Sequence, residues 1–189
     1  MKYRNKIILL TIVTLLLLLY CSQEASKPLP LPGPQEARPT NWAVPLEREG
    51  LSNFYKVSDD LYRGAQPKTA GFEELKKLGI KTIVNLRGSN ADEKMIAGAG
   101  FNYFHIPISS IFPRKKKFAR FLEIVSDPAN CPVFVHCRRG ADRTGTAVAL
   151  YRINIQKWEK EEAINEMVNG GYHFNPIYFN LKYLVRHFK

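Results

Sequence analysis

Cysteine is scarce in this chain, 3 among 189 residues. Cys21, Cys131 and Cys137 are too few for a disulfide scaffold. No Cys-x-x-Cys pair and no His-Glu-x-x-His string occurs, so the usual zinc spacings are missing and no metal is expected. Acid is also in short supply: 17 Asp+Glu stand against 28 Lys+Arg, a formal net charge of +11. That imbalance points to an anionic partner, whether phosphate groups, nucleic acid or an anionic membrane. Nucleic acid has no supporting motif and is not expected. A long apolar run is missing too. The longest, Ile7 to Tyr20, falls short of the roughly 20 residues that a spanning helix needs. No internal repeat is visible. With 45% hydrophobic and 24% charged residues, a wholly disordered, collagen-like or multi-span membrane protein is excluded. The length allows one ordinary domain.

What is present begins with a basic start, Lys2, Arg4 and Lys6, ahead of that apolar run. This is the layout of a signal-peptide core. Cys21 follows at once, then Ser22, Gln23 and Glu24. The arrangement resembles a bacterial lipoprotein signal, in which the cysteine is lipidated and becomes the new N-terminus, although Tyr20 stands where such signals carry a small residue. Residues 1–21 are therefore expected to be a signal peptide, a lipoprotein signal or an uncleaved anchor. Each would place the protein outside the cytoplasm or at a membrane, in the bacterial cell envelope. Residues 22–50 read as a tether, with Pro28, Pro30, Pro32, Pro34, Pro39 and Pro45. The folded domain is expected over 51–189.

Within that domain, Phe54–Val57 and Leu61–Arg63 read as short strands turning at Ser58-Asp59-Asp60. Thr69–Leu78 reads as a helix stopped by Gly79. Ile80–Leu86 and Phe101–Ile108 read as strands. Between them, Asn90 and Glu93 suggest a capping box for a short helix closed by Gly98 and Gly100. Pro113 opens a helix carrying Phe118, Phe121, Leu122 and Val125. Pro132–Val135 is continuously apolar, the mark of a strand buried on both faces. Thr144–Trp158, Lys160–Asn169 and Pro176–Phe188 read as helices. Strands alternating with helices predict an α/β fold, with a central mostly parallel sheet flanked by helices and a helical C-terminal third. Ligands of such sheets sit at the carboxyl ends of the strands.

The loop after Val135 lies at one of those ends. It reads His136-Cys137-Arg138-Arg139-Gly140-Ala141-Asp142-Arg143-Thr144-Gly145. A buried strand, a tight loop and a helix start can curl successive backbone N–H groups around one anion. A cysteine at the foot of such a cradle ionises readily, because its thiolate is itself an anion. Arg143 can present a planar fork to two phosphate oxygens.

This string resembles the His-Cys-x5-Arg-Thr-Gly signature of cysteine-dependent protein tyrosine phosphatases. Asp60-Leu61-Tyr62-Arg63-Gly64-Ala65-Gln66-Pro67, followed by Gly79-Ile80-Lys81-Thr82-Ile83-Val84-Asn85-Leu86-Arg87, resembles bacterial relatives of the plant and fungal atypical dual-specificity phosphatases. The resemblance covers roughly Asn53 to Lys189. It implies a dual-specificity phosphatase-like fold, a Cys137 nucleophile that forms a thiophosphate ester, and no cofactor. Arg143 and the amides of Arg138, Arg139, Gly140, Ala141, Asp142 and Arg143 would hold the phosphoryl oxygens. Thr144 would hydrogen-bond the Cys137 sulfur. His136 would support the loop from beneath.

The family usually places a general-acid Asp after the strand ending at Ile108, and Ser109-Ser110-Ile111-Phe112-Pro113 carries none. Asp142 is the expected substitute; alternatively it caps the helix that follows. Asp59, Asp60, Asp92 and Asp127 are fallbacks, none of them expected beside the cradle. Cys131 is read as a strand-edge core residue, too far along the strand to bridge Cys137. His105 is read as structural. Arg114 and Lys115, Lys116 and Lys117 are expected to flank the pocket and to favour substrates with several phosphates. The expected partners are a phosphorylated protein or an inositol phosphate or phosphoinositide, with a membrane engaged through the N-terminal segment. The alternative to an enzyme is a phosphate-binding pseudophosphatase.

Overall fold

The computed structural model describes residues 38–90 and 92–189. The strands are β1 (Val44–Pro45), β2 (Tyr55–Lys56), β3 (Leu61–Ala65), β4 (Thr82–Asn85), β5 (Asn102–His105) and β6 (Val133–Cys137). The helices are α1 (Thr69–Lys77), α2 (Asp92–Met95), α3 (Lys115–Ser126), α4 (Asp142–Asn154), α5 (Lys160–Asn169) and α6 (Phe179–Arg186). A short 3-10 turn at Pro128–Asn130 leads into β6. The strands form one sheet in the order β1-β2-β3-β6-β4-β5. β3, β6, β4 and β5 run parallel, and β1 and β2 are added antiparallel at one edge.

Period-two alternation decides which side chains go to which face. Leu61, Val84, Val133, Val135 and Cys137 face the core built with α3, α4, α5 and α6. Tyr62, Ile83 and Phe134 face the opposite core, with Phe72 and Leu75 of α1. β6 is buried along its whole length. α4 runs through the larger core and is buried at every position from Thr144 to Arg152. No helix among the described residues is long and apolar enough to cross a membrane.

The strands at 80–86 and 101–108 are shorter than their apolar runs, because the flanking residues turn into loops that bond to the sheet ends. The helix expected from Thr144 starts two residues earlier, at Asp142. The Asn90–Glu93 box closes side chain to side chain, Asn90 Nδ2 donating to Glu93 Oε2 at 2.9 Å.

A larger correction concerns the domain boundary. The compact unit begins at Arg38, not at Leu51. Arg38 donates to the carbonyls of Gly170 (2.6 Å) and Ala43 (2.7 Å) and to Tyr172 Oη (2.9 Å). Buried Ala43 donates its N–H to Glu166 Oε1 at 2.7 Å. Pro45 sits on the outermost strand, where a missing N–H costs no ladder bond. Residues 1–37, which include the expected leader and most of the tether, lie outside the described residues.

Candidate active site

The loop from Cys137 to Asp142 joins the carboxyl end of β6 to α4. Its shape is set by what holds its carbonyls. Gln66 N–H donates to the Arg138 carbonyl (3.4 Å), Asn53 Nδ2 to that of Arg139 (2.8 Å) and Arg63 Nη2 to that of Gly140 (2.8 Å). Three successive carbonyls are thus tied to the neighbouring strand end and its approach loop. In a planar trans peptide the N–H of the next residue points opposite to the carbonyl. The amides of Arg139, Gly140 and Ala141 are therefore turned the other way, into the loop. This is the geometry of an anion cradle, and the start of α4 adds its positive end.

Gly140 makes the close approach possible. Its φ is +69°, and a Cβ there would lie 2.4 Å from the Gly64 carbonyl carbon and 2.5 Å from Ala65 N. In the parallel register Ala65 pairs with Cys137 and Gly64 with His136, so the cradle rests directly on the end of β3.

Arg63 is the support that the sequence reading did not single out. It belongs to a strand whose every residue is buried, and it is itself 1% exposed. Besides holding Gly140, its guanidinium lies 3.6 Å from the centre of the Tyr172 ring. Burial pushes its pKa down, while Tyr172, Glu166 and Cys137 nearby act the other way. Its Nε has no hydrogen-bond partner among the described residues. Tyr172 Oη donates to Glu166 Oε1 (2.8 Å), and Glu166 takes two bonds from Arg152 (2.8 and 2.9 Å). A buried polar chain therefore runs from α4 and α5 to the floor of the cradle. The local signal is only a charged residue on a short strand; the pairing of that strand on both sides is what buries it.

A second unexpected group is Asp92, expected away from the cradle and found beneath it. It is fully buried at the start of α2. Its oxygens accept from Gln66 Nε2 (2.6 Å) and Asn85 Nδ2 (2.8 Å), and Arg87 Nη1 lies at 3.7 Å. His136 Nε2 is 3.4 Å from Asp92 Oδ2. Burial pushes Asp92 above its ordinary value. Burial drives His136 down to about 3, with Arg87 and Arg143 acting in the same direction. His136 is therefore neutral, and its contact with Asp92 is polar rather than an ion pair. His136 stacks on Phe134 with centroids 5.6 Å apart.

Cys137 is a free thiol, 2% exposed, at the foot of the cradle. Arg143, in the first turn of α4, donates Nη1 to the Leu86 carbonyl at 3.2 Å. Thr144 is buried, and its Oγ1 has no hydrogen-bond partner among the described residues. Asp142 does not cap α4. Its Oδ1 accepts the Asn175 N–H (2.8 Å) and its Oδ2 accepts from Arg139 Nη2 (3.1 Å). Its carboxylate pins the 172–175 loop to the cradle rim.

The structure thus gathers Cys137, Arg138, Arg139, Gly140, Ala141, Asp142, Arg143, Thr144 and His136 at one sheet end. The basic run stands on the loop side of α3. Helix α3 starts at Lys115, with Pro113 two residues outside it, and its first turn holds Lys115, Lys116 and Lys117 with no acid. Lys115 turns its ammonium to the His187 carbonyl beyond α6. His105 Nε2 meets the Arg87 carbonyl at 2.8 Å. Cys131, also a free thiol, sits before β6, half-buried against the carbonyls of Val125 and Asp127. Asp59, Asp60 and Asp127 stand at the opposite sheet end from Cys137: Asp59 and Asp60 in the turn before β3, Asp127 at the turn before β6.

Residues 34–175 match the protein-family model described as DSP-PTPase phosphatase fused to NAD+ kinase. The chain is similar to the dual specificity protein phosphatase TpbA of Pseudomonas aeruginosa strain UCBPP-PA14, at 29% identity over 144 residues. That match covers 76% of this chain and 66% of the relative, a little under two thirds of its length. It is similar also to the inositol diphosphatase DSP3 of Arabidopsis thaliana, at 28% identity over 123 residues, 61% of this chain and 60% of the relative. Against the crystal structure of P. aeruginosa TpbA the TM-score is 0.70 at 28% identity, covering 78% of this chain and 90% of that chain.

Proposed function

Because the chain belongs to the dual-specificity family of cysteine-dependent phosphatases, we propose that it hydrolyses phosphomonoesters through a phosphocysteine intermediate. The observation that carries this reading is the inward turn of the Arg139, Gly140 and Ala141 amides, forced by the three tied carbonyls, above Cys137. These amides and Arg143 receive the equatorial phosphoryl oxygens, and they are in place before charge develops. The Cys137 thiolate attacks phosphorus. The bond to the leaving oxygen breaks, and its electron pair departs with that oxygen. Water then attacks the phosphocysteine. The P–S bond breaks, its pair returns to sulfur, and inorganic phosphate leaves. Thr144 Oγ1, buried and free to donate, would hydrogen-bond the departing sulfur.

The leaving oxygen decides the substrate class. The 109–113 stretch carries no carboxylate, and both Asp142 oxygens are already acceptors. A proton on Asp142 has to sit at the lone pairs left beside the Arg139 and Asn175 bonds. This favours leaving groups that depart as stable anions, such as aryl phosphates and phosphoanhydrides, over alkyl phosphates. Of the two substrate classes, inositol compounds fit better than phosphoserine proteins where the bond cleaved is a diphosphate anhydride, because an inositol phosphomonoester is itself an alkyl phosphate; phosphotyrosine stays within range. Arg138 and Arg139, within the loop itself, supply positive charge toward such substrates.

A series of aryl phosphates of graded leaving-group pKa tests this. The proposal expects a steep fall in kcat/KM, which reports departure of the leaving group, with rising leaving-group pKa, and little further loss in Asp142→Asn. A flat series that becomes steep in Asp142→Asn would make Asp142 the acid. The same missing acid favours a second reading, a phosphate-binding pseudophosphatase. That reading requires no turnover on any member of the series while phosphate still binds.

A further inference from the structure

Eight large hydrophobic side chains are exposed among the described residues, and five of them lie in one region. Ile111, Phe112, Ile177, Phe179 and Tyr183 are between 63% and 79% exposed. Ile111 and Phe112 form the tip of the loop between β5 and α3. With Tyr183 and His187 of the C-terminal segment they line a groove of about 550 Å³. Asn180 Nδ2 donates to the carbonyls of Ser110 and Ile111 at 2.8 and 2.9 Å, which fixes loop and helix together. Phe179 and Tyr183 are four residues apart on α6 and share a face. Ile177 stands in the turn just before.

The segments that form this patch are basic. Residues 105–120 and 167–189 contain no Asp or Glu, and they hold Arg114, Lys115, Lys116, Lys117, Lys182 and Arg186 among other basic groups. Arg114 and Lys115 line the groove itself. Glu161 pairs with Arg186 at 2.7 and 2.9 Å, which leaves Arg114, Lys115, Lys116, Lys117 and Lys182 in excess; protruding aromatics beside such an excess of Lys and Arg are the composition of a surface that enters the headgroup region of an anionic bilayer. A second copy of the chain would bring two such basic surfaces together, and that contact is opposed by like charge.

The patch also has a fixed relation to the cradle. Ile108 N–H and Arg143 Nη1 share the Leu86 carbonyl, at 3.3 and 3.2 Å. The loop that carries Ile111 and Phe112 therefore leaves the sheet beside the phosphate-binding arginine. We propose that this face is a docking surface for anionic lipid, which sets the cradle at the membrane interface. Phe112 and Phe179 enter the interface, and the α3 lysines pair with lipid phosphates. Docking does not require turnover, so it stands apart from the activity proposed for the cradle.

The test is hydrogen exchange on the full chain, which reads the patch separately from the N-terminal segment. Vesicles of phosphatidylcholine with and without phosphatidylglycerol are the probes. With the anionic vesicles, exchange should slow across residues 109–117 and 177–187, and the protection should fade as salt rises. Changing Phe112→Ser and Phe179→Ser together should remove that protection and weaken vesicle binding through this face on the order of tenfold or more. Unchanged exchange in both segments overturns the proposal. So does equal protection by the neutral vesicles, or protection that grows with protein concentration without vesicles, which would identify a second copy. Protection produced by an acidic protein and by neither vesicle overturns it as well.

Discussion

Replacing Gly140 with alanine places a methyl group against the backbone of β3. Two costs follow. At φ +69° a non-glycine residue pays roughly 1–2 kcal/mol in backbone strain. The new Cβ would also sit 2.4 Å from the Gly64 carbonyl carbon and 2.5 Å from Ala65 N and Gly64 O. Those atoms belong to a central strand and cannot swing aside, so the cradle must lift by about 1 Å to reach ordinary contact distance. That lift pulls the Gly140 carbonyl from Arg63, a charged and buried hydrogen bond worth about 1.5–3 kcal/mol. The total loss is about 3–5 kcal/mol, which in a domain of this size lowers Tm by roughly 10 °C. A displacement of about 1 Å in a catalytic loop costs on the order of a hundredfold in rate. Gly79→Ala is the matched control. Gly79 has φ +75°, but nothing lies within 4 Å of its added Cβ. It should lose only the backbone strain, about 1–2 kcal/mol, and keep its activity. The assays are kcat/KM on an aryl phosphate and thermal unfolding. Gly140→Ala activity within about threefold of the parent, with a Tm matching Gly79→Ala, would refute the reasoning.

Arg63→Met should leave stability within about 2 kcal/mol, because relief from burying a cation without a carboxylate partner offsets the lost bonds. It should still lower kcat at least tenfold, since the Gly140 carbonyl is released; unchanged kcat would show that Arg63 does not hold the cradle. His136 gives a pH signature. Its pKa falls from the ordinary 6.5 to about 3 in the fold, so the unfolded chain takes up the proton first. Its contribution is complete above about pH 6.5 and is lost as pH falls from there toward about 3, to an extent of a few kcal/mol. His136→Asn should flatten the pH dependence of the urea midpoint between about pH 6.5 and 5, and an unchanged slope would contradict the neutral, buried imidazole. Glu166 acts lower down. Burial alone would raise it, but bonds from Arg152, Ala43 and Tyr172 bring it below its ordinary value. Its stabilisation holds above about pH 4.5 and is lost as pH falls further. Glu166→Gln should therefore shift the acid unfolding midpoint upward in circular dichroism titration.

The parts legible in the sequence were those whose signal is local. The apolar run before Cys137 marked the buried strand, and the string from His136 to Gly145 marked the cradle. The order of alternating strands and helices carried the sheet architecture, and the helix at Lys160–Asn169 came out with its observed ends. What escaped depends on long-range contact. Arg63 reads locally as a polar position on a short strand; only the parallel pairing of β3 with β6 puts it under Gly140, 77 residues on. Asp92 reads as the first acid of a short helix, and the return of β4 beside β6 carries it to His136. The domain start was hidden because proline content masks an edge strand, and because Arg38 and Ala43 find their partners at Gly170 and Glu166. Asp142 reads locally as an acid or a cap; it does not cap α4, and its Oδ1 accepts an N–H from a loop 33 residues later.

The account rests on a phosphoryl group passing through Cys137. Rapid acid quench of the full chain during turnover of an aryl phosphate, followed by peptide mass mapping, tests this directly. The account predicts one phosphoryl group on the peptide carrying Cys137, lost when the substrate is exhausted, and no turnover in Cys137→Ser. Turnover without that adduct, an adduct on another residue, or undiminished hydrolysis by Cys137→Ser would contradict it.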